Sequence, residues 1–197
     1  MNDFYIWFST GVTHIADWTA YDHILFLFVL CGIYTVHQWK STLVLITAFT
    51  IGHSITLALS VLNILRINSY LVEFLIPITI LLTCISNLYF LDKTINRTSR
   101  VNYFMALIFG CIHGLGFSTL LKSMLGRDAN ILFPLFSFNI GLEAGQLLVI
   151  FFIMLFSLAL TYSIIKDQKQ WNKYVSICIL VISFILSIER FTELIKN

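Results

Sequence analysis

Six apolar stretches, each about as long as a bilayer is thick, constrain this chain more than any other feature. They fall at roughly 20–38, 42–64, 71–91, 102–122, 131–162 and 172–190, with short polar connections between them. About 20 apolar residues in a helix cross a hydrocarbon core of ~30 Å. Inside lipid the backbone must satisfy its own polar groups, which leaves only helices and closed barrels. The alternation over about ten residues that a barrel strand needs is missing. The chain therefore reads as one all-α, polytopic membrane domain over 1–197 with about six transmembrane helices. Only 11% of its residues are charged, less than half of the roughly one quarter usual in soluble domains. The net charge of +2, with no basic patch or aromatic stacking stripe, argues against nucleic acid. The partner that composition names is the lipid bilayer.

The region before Tyr21 is expected to be an interfacial helix, a re-entrant segment, or the first half of a long broken helix. Phe4 to Trp18 is amphipathic, with Trp7 and Trp18 as interface anchors, and His14, Asp17 and Asp22 interrupt any clean apolar run. Met1 to Trp7 has neither a basic n-region nor an A-x-A cleavage pattern, so the first hydrophobic helix is expected to serve as its own insertion signal. Lys40, Lys93, Arg97, Arg100, Lys166, Lys169 and Lys173 lie on the connections after the first, third and fifth spans. These seven face five on the other side, Arg66, Lys122, Arg127, Arg190 and Lys196. The positive-inside rule then sets the richer side in the cytoplasm and both termini outside. Cys31, Cys84, Cys111 and Cys178 all fall in apolar stretches without a C-x-x-C pair, and read as small buried or lipid-facing thiols.

Against this apolar background the ionisable residues stand out. One at the centre of a transmembrane helix costs ~2.5–3.5 kcal/mol on insertion scales and normally marks a pathway, a relay or a site. Here they are His14, Asp17, Asp22, His23, His53, Glu73, His113 and Glu143. Asn139, Glu143 and Gln146 share one helix face by their i, i+4, i+7 spacing, and Gly141 and Gly145 permit close approach of another helix. An interhelical hydrogen-bonded clamp explains the amides but leaves Glu143 to be paired, protonated or metal-bound. His113 sits between Gly110 and Gly114, and His53 lies near mid-span beside Thr50 and Ser54.

His14 and His23 would point to opposite faces of an unbroken helix, so both reach one site only if the chain bends between them, around Thr19-Ala20. Asp22 is then either a ligand or the carboxylate that fixes the ring tautomer of its neighbour. Glu73, with Pro77 one turn later and Asn87 further along, is a weaker candidate. His37, beside Gln38, Trp39 and Lys40, reads as a solvated residue of the membrane edge.

Imidazoles mixed with carboxylates suit nickel, cobalt, zinc or iron and need no thiolate, whereas magnesium or calcium would want oxygen ligands alone. A divalent ion would also leave two or three buried carboxylates nearly compensated. The candidate ligands are His14, Asp22, His23, His53, His113 and Glu143, with Asp17, Ser54, Glu73, Asn139 and Gln146 in support.

The motifs that carry these residues resemble the hydrogenase/urease accessory membrane protein family HupE/UreJ. They are G-V-T-H (Gly11 to His14), Y-D-H-I-L-F (Tyr21 to Phe26), F-T-I-G-H-S-I-T-L (Phe49 to Leu57), Glu73 with Asn87, F-G-C-I-H-G-L-G-F (Phe109 to Phe117) and F-N-I-G-L-E-A-G-Q (Phe138 to Gln146). Ala20 and Gly52 depart from the family pattern, each replacing one small residue by another. The resemblance implies a small inner-membrane protein that handles nickel or cobalt for metalloenzyme maturation, with some relatives linked to cobalamin uptake. A homo-oligomer or a maturation partner is compatible with it. Two activities fit the residues. One is transport of a divalent ion bound near the midplane. The other is an intramembrane zinc hydrolase acting on a lipid or other amphiphile, with Asp22 or Glu143 activating a metal-bound water.

Overall fold

The computed structural model describes residues 3–17, 21–91, 95–125, 131–165 and 167–196, the side chains of 36, 95–99 and 125 excepted. Among these residues there are seven α-helices and no strand. They are α1 (Asp3–Ala16), α2 (Tyr21–Cys31), α3 (Trp39–Val61), α4 (Ser69–Tyr89), α5 (Ile95–Leu125), α6 (Leu132–Leu160) and α7 (Gln168–Lys196). A 3₁₀ turn (Val36–Gln38) leads into α3, and a π-helical turn (Thr161–Ile165) ends α6. Trp18, the expected bend at Thr19-Ala20, and the loop residues Lys93, Arg127 and Lys166 lie outside the described residues, as does the side chain of Arg97.

Five helices, α3 to α7, are long and apolar enough to cross a membrane. The expected first span, 20–38, is the exception: its helix has 11 residues and ends at Cys31. At a rise of ~1.5 Å per residue such a helix covers roughly half of a bilayer core. α1, at 14 residues, is similarly short. Both run in the same direction as α4 and α6. Contacts ascend together along α1 and α6, from Phe4 with Phe133 to Val12 with Gly145, and continue from α2 to α6 at Phe28 with Phe156, while Asn87 Nδ2 of α4 donates to the Val29 carbonyl of α2. α1 and α2 thus follow one another along α6, with His14 near the end of the first helix and His23 near the start of the second.

Side-chain-free surfaces bring the helices together. Gly11 of α1 lies against the Phe138 carbonyl, and Gly141 of α6 against that of Phe8, too close for any Cβ. α1 is therefore packed into the bundle through backbone contact, where an interfacial helix would lie on its surface. Gly52, Gly110 and Gly114 do the same for the parallel pair α3 and α5. α4 packs on α7, with Glu73 and Phe74 meeting Arg190 and Phe191. Local signals end the helices where expected. Asn68 caps α4 by accepting from the Tyr70 amide at 2.9 Å. Asn63, at φ 59°, turns the chain out of α3 in the left-handed conformation that asparagine tolerates.

The outer surface is what lipid requires. Phe151, Phe152, Leu155 and Phe156 on α6 and Phe184, Ile185 and Ile188 on α7 are all exposed. Phe26, Phe49, Phe109 and Phe138 fill the interior.

Candidate metal centre

The end of α1 and the start of α2 deliver two histidines to the same point in the bundle. The His14 and His23 rings lie 4.7 Å apart between centroids. His113, on α5, follows at 4.9 Å from His23, and His53, on α3, at 6.0 Å from His14. His23, His53 and His113 are buried, and His14 is half-buried. Four of the six expected ligands thus form a continuous chain of rings, with Asp22 joined to its middle.

Hydrogen bonds set the chemistry of two rings. His23 Nδ1 lies 3.0 Å from Asp22 Oδ1, and His113 Nδ1 lies 2.9 Å from the Phe109 carbonyl. Carbonyl and carboxylate oxygens accept, so both rings carry their proton on Nδ1 and present an Nε2 lone pair. This is the arrangement by which a second partner prepares a metal-ligating histidine. The Nε2 atoms of His14, His23 and His113 and both ring nitrogens of His53 are buried with no hydrogen-bond partner among the described residues. Buried polar atoms are seldom left so.

Two imidazoles on one tetrahedral ion, at ~2.0–2.1 Å from metal to nitrogen, place their centroids roughly 5 Å apart. The neighbouring separations here bracket that value. The rings do not share a focus, however: among the described residues no three His, Cys, Asp or Glu side chains are arranged as ligands of one ion. The backbone spaces the rings suitably, and ring rotation is what closure around an ion would require.

Aromatic walls enclose the cluster. Phe117 lies 4.0 Å from His14, and Phe138 stacks on Phe117 at 4.9 Å. Phe26 and Phe49 sit on the other side, 5.7 and 5.4 Å from His113. A cavity of about 310 Å³ reaches His14, Asp22, His23 and His113 and runs between Ile76, Pro77 and Phe117 to Tyr21, Glu73 and Arg190. His53 stands behind His14, off the cavity wall.

Glu143 is not brought to the rings. Its Oε1 accepts from Thr47 Oγ1 at 3.2 Å, while Thr50 donates to Gln146 Oε1 at 2.8 Å and Ser54 to Asn139 Oδ1 at 2.7 Å. These bonds are an α3–α6 clamp, the alternative that the i, i+4, i+7 spacing offered; they engage Ser54, Asn139 and the Gln146 oxygen, while Gln146 Nε2 is buried with no partner among the described residues. Asp17 is exposed at the end of α1. Glu73 holds Arg190 at 3.1 Å, and Arg190 also holds Glu193 at 2.8 Å. Arg190 is the cavity residue that sequence reasoning missed, having entered only as a loop charge. Its signal was its place just past an uncharged run, directly after Glu189 and three residues before Glu193. His37 is exposed and lines a different cavity, of about 280 Å³, with Asp167, Ser157 and Thr161 at the opposite end of the bundle.

A polytopic helical membrane protein with two short leading helices and a buried, aromatic-walled histidine cluster is the class that these features define. The sequence model of the HupE / UreJ protein family matches residues 1–191, and the chain belongs to that family. Membership associates it with accessory membrane proteins of nickel and cobalt metabolism. No curated protein and no solved structure matches it.

Proposed function

We propose that this protein binds a divalent transition metal, nickel or cobalt, at the His14–His23–His53–His113 cluster and passes it across the membrane. The observation that carries the reading is the pair of buried, unpartnered Nε2 atoms on His23 and His113, whose rings lie 4.9 Å apart on the wall of one cavity. Neutral rings bind the ion as cargo without requiring burial of further charge, and Asp22 supplies the negative charge beside His23. Closing of the rings around the ion captures it. Protonation of the rings releases it, because an imidazolium cannot ligate. By the charge bias of the connections, the Glu73–Arg190 end of the cavity faces the periplasm and the ion enters there.

Zinc-hydrolase chemistry at the same rings has less support. Glu143 is turned to Thr47 and Asp22 is bonded to His23, so neither carboxylate is free to act as the base that a metal-bound water needs.

Proteoliposomes holding a nickel-sensitive dye provide the test. External nickel chloride should brighten the dye, and His113→Ala or His53→Ala should abolish the signal and reduce bound nickel below about one ion per chain. Nickel held without influx, together with hydrolysis of an added lipid ester, would favour the enzyme. Protein that binds no divalent ion at all would overturn both.

A further inference from the structure

Below the histidines the bundle is built in layers. On α3 the residues His53, Phe49, Ile46 and Thr42 descend one face, and on α5 His113, Phe109, Ala106 and Asn102 descend another with the same spacing. All eight are buried. Contacts of Gly110 with Phe49 and of Lys122 with Asn63 show that the two helices run parallel in fixed register, which sets Thr42 opposite Asn102. On α4, running the other way, Ile76, Ile80, Thr83 and Asn87 reach the same level. A histidine layer is thus followed by a phenylalanine layer, then by the apolar pair Ile46 and Ala106, and only then by a polar layer.

The phenylalanine layer is continuous. Phe26 lies 5.3 Å from Phe49 and 5.2 Å from Phe109, and none of the three is more than 1% exposed. The polar layer beneath is unusual because it is unsatisfied. Asn102 is fully buried and neither side-chain atom has a partner among the described residues. Thr42 Oγ1 and Asn87 Oδ1 share that condition. Asn87 is held in place through its other atom, the amide Nδ2, on the Val29 carbonyl at 2.7 Å. Unsatisfied polar atoms on three helices at one level point to water or a hydrated ligand among them.

We propose that Asn102, Thr42 and Asn87 form an inner station for a hydrated divalent cation, sealed from the histidine cluster by a gate of Phe26, Phe49 and Phe109. Neutral oxygen donors hold a transition metal more weakly than imidazole does, so an ion that crosses the gate is not trapped there. Stations that bind just tightly enough to be entered and left are what conduction requires. The station lies near the far ends of α2 and α4, so exit to that membrane face is short. This inference rests on the transport reading, but the water-filled compartment is testable without it.

Two measurements separate the claims. In the first, Asn102→Cys in membranes is exposed to a charged methanethiosulfonate and adducts are counted by intact mass against the wild type. One additional adduct is expected, and none would overturn the station whatever the flux. In the second, Asn102→Leu and Thr42→Val are assayed in nickel-dye proteoliposomes. Influx should fall at least ~10-fold while nickel bound in detergent is unchanged, since the ring ligands remain. Wild-type influx in both variants would also overturn the station. An additional adduct in a protein that binds nickel but never passes it would refute transport and leave the compartment standing.

Discussion

Asp22 and His23 are neighbours in sequence and are bonded through their side chains, Nδ1 to Oδ1 at 3.0 Å, while the same oxygen accepts from the His23 backbone amide at 2.8 Å. The carboxylate therefore holds the ring by Nδ1, leaving Nε2 buried with no hydrogen-bond partner among the described residues. Asp22→Asn should keep the fold and weaken nickel binding by about 10- to 100-fold, the usual effect of losing such a partner. Equilibrium dialysis measures it. Affinity equal to wild type would mean that the pair is only structural.

Glu143 provides the contrast. Glu143→Gln keeps an oxygen to accept from Thr47, so nickel occupancy and stability should both stay near the wild-type values. A marked loss of bound nickel in this variant would return Glu143 to the ligand set and require α6 to rotate when the ion binds.

Occupancy should fall as pH falls. Only neutral imidazole ligates, and each ring that takes a proton removes one donor. Dialysis against nickel from about pH 8 to about pH 5 spans the range over which histidines commonly charge. Retained nickel should be highest at the alkaline end and lost towards the acid end. A pH-independent occupancy would show that the rings are not the ligands.

The glycine contacts make a sharper structural prediction. A methyl group at Gly141 would overlap the Phe8 backbone, whereas one at Gly116 would make ordinary contact with Val72 Cγ1 at 3.5 Å and Ile76 Cδ1 at 3.6 Å. Gly141→Ala should cost about 1–3 kcal/mol of stability, as overpacking of a tight interface does. Gly116→Ala should be close to neutral. Thermal unfolding in detergent compares them, and equal melting would contradict the packing of α1 on α6.

The Glu73–Arg190 pair should matter for access more than for stability. Both side chains are more than one third exposed or nearly so, at 44% and 34%, and such pairs contribute only ~0–1 kcal/mol. Arg190→Met is expected to leave the melting temperature almost unchanged and to alter the rate of nickel binding in a salt-dependent way. A large loss of stability would make the pair a structural tie between α4 and α7.

The legible part of this protein was whatever one helix can state alone. Hydropathy marked α3 to α7, because lipid imposes length and composition on each span separately. Histidines in the middle of such spans announced themselves by their cost in lipid. His14, Asp17 and Asp22 before Phe26 ruled out a clean apolar run there but left an interfacial helix, a re-entrant segment and a broken helix equally open. What remained hidden depended on pairing. Gly141 and Gly145 promised a close helix neighbour without naming α1 as that neighbour. The spacing of Glu143 with Asn139 and Gln146 fitted a ligand or a clamp, and the clamp's partners, Thr47, Thr50 and Ser54, became visible only across the interface. Arg190 counted as a surface charge until α7 was laid against α4 and its guanidinium reached Glu73.

The contact of α1 with α6 also bears on biogenesis. As the chain leaves the ribosome, α1 enters the membrane long before the helix whose backbone it must touch at Gly141. Until α6 arrives, α1 lacks the backbone surface on which it packs, and His14 has only its ring contacts to His23, His53 and Phe117 to hold it. The histidine cluster is therefore completed only late in synthesis, so a chain truncated before α6 should insert in the membrane yet retain no metal.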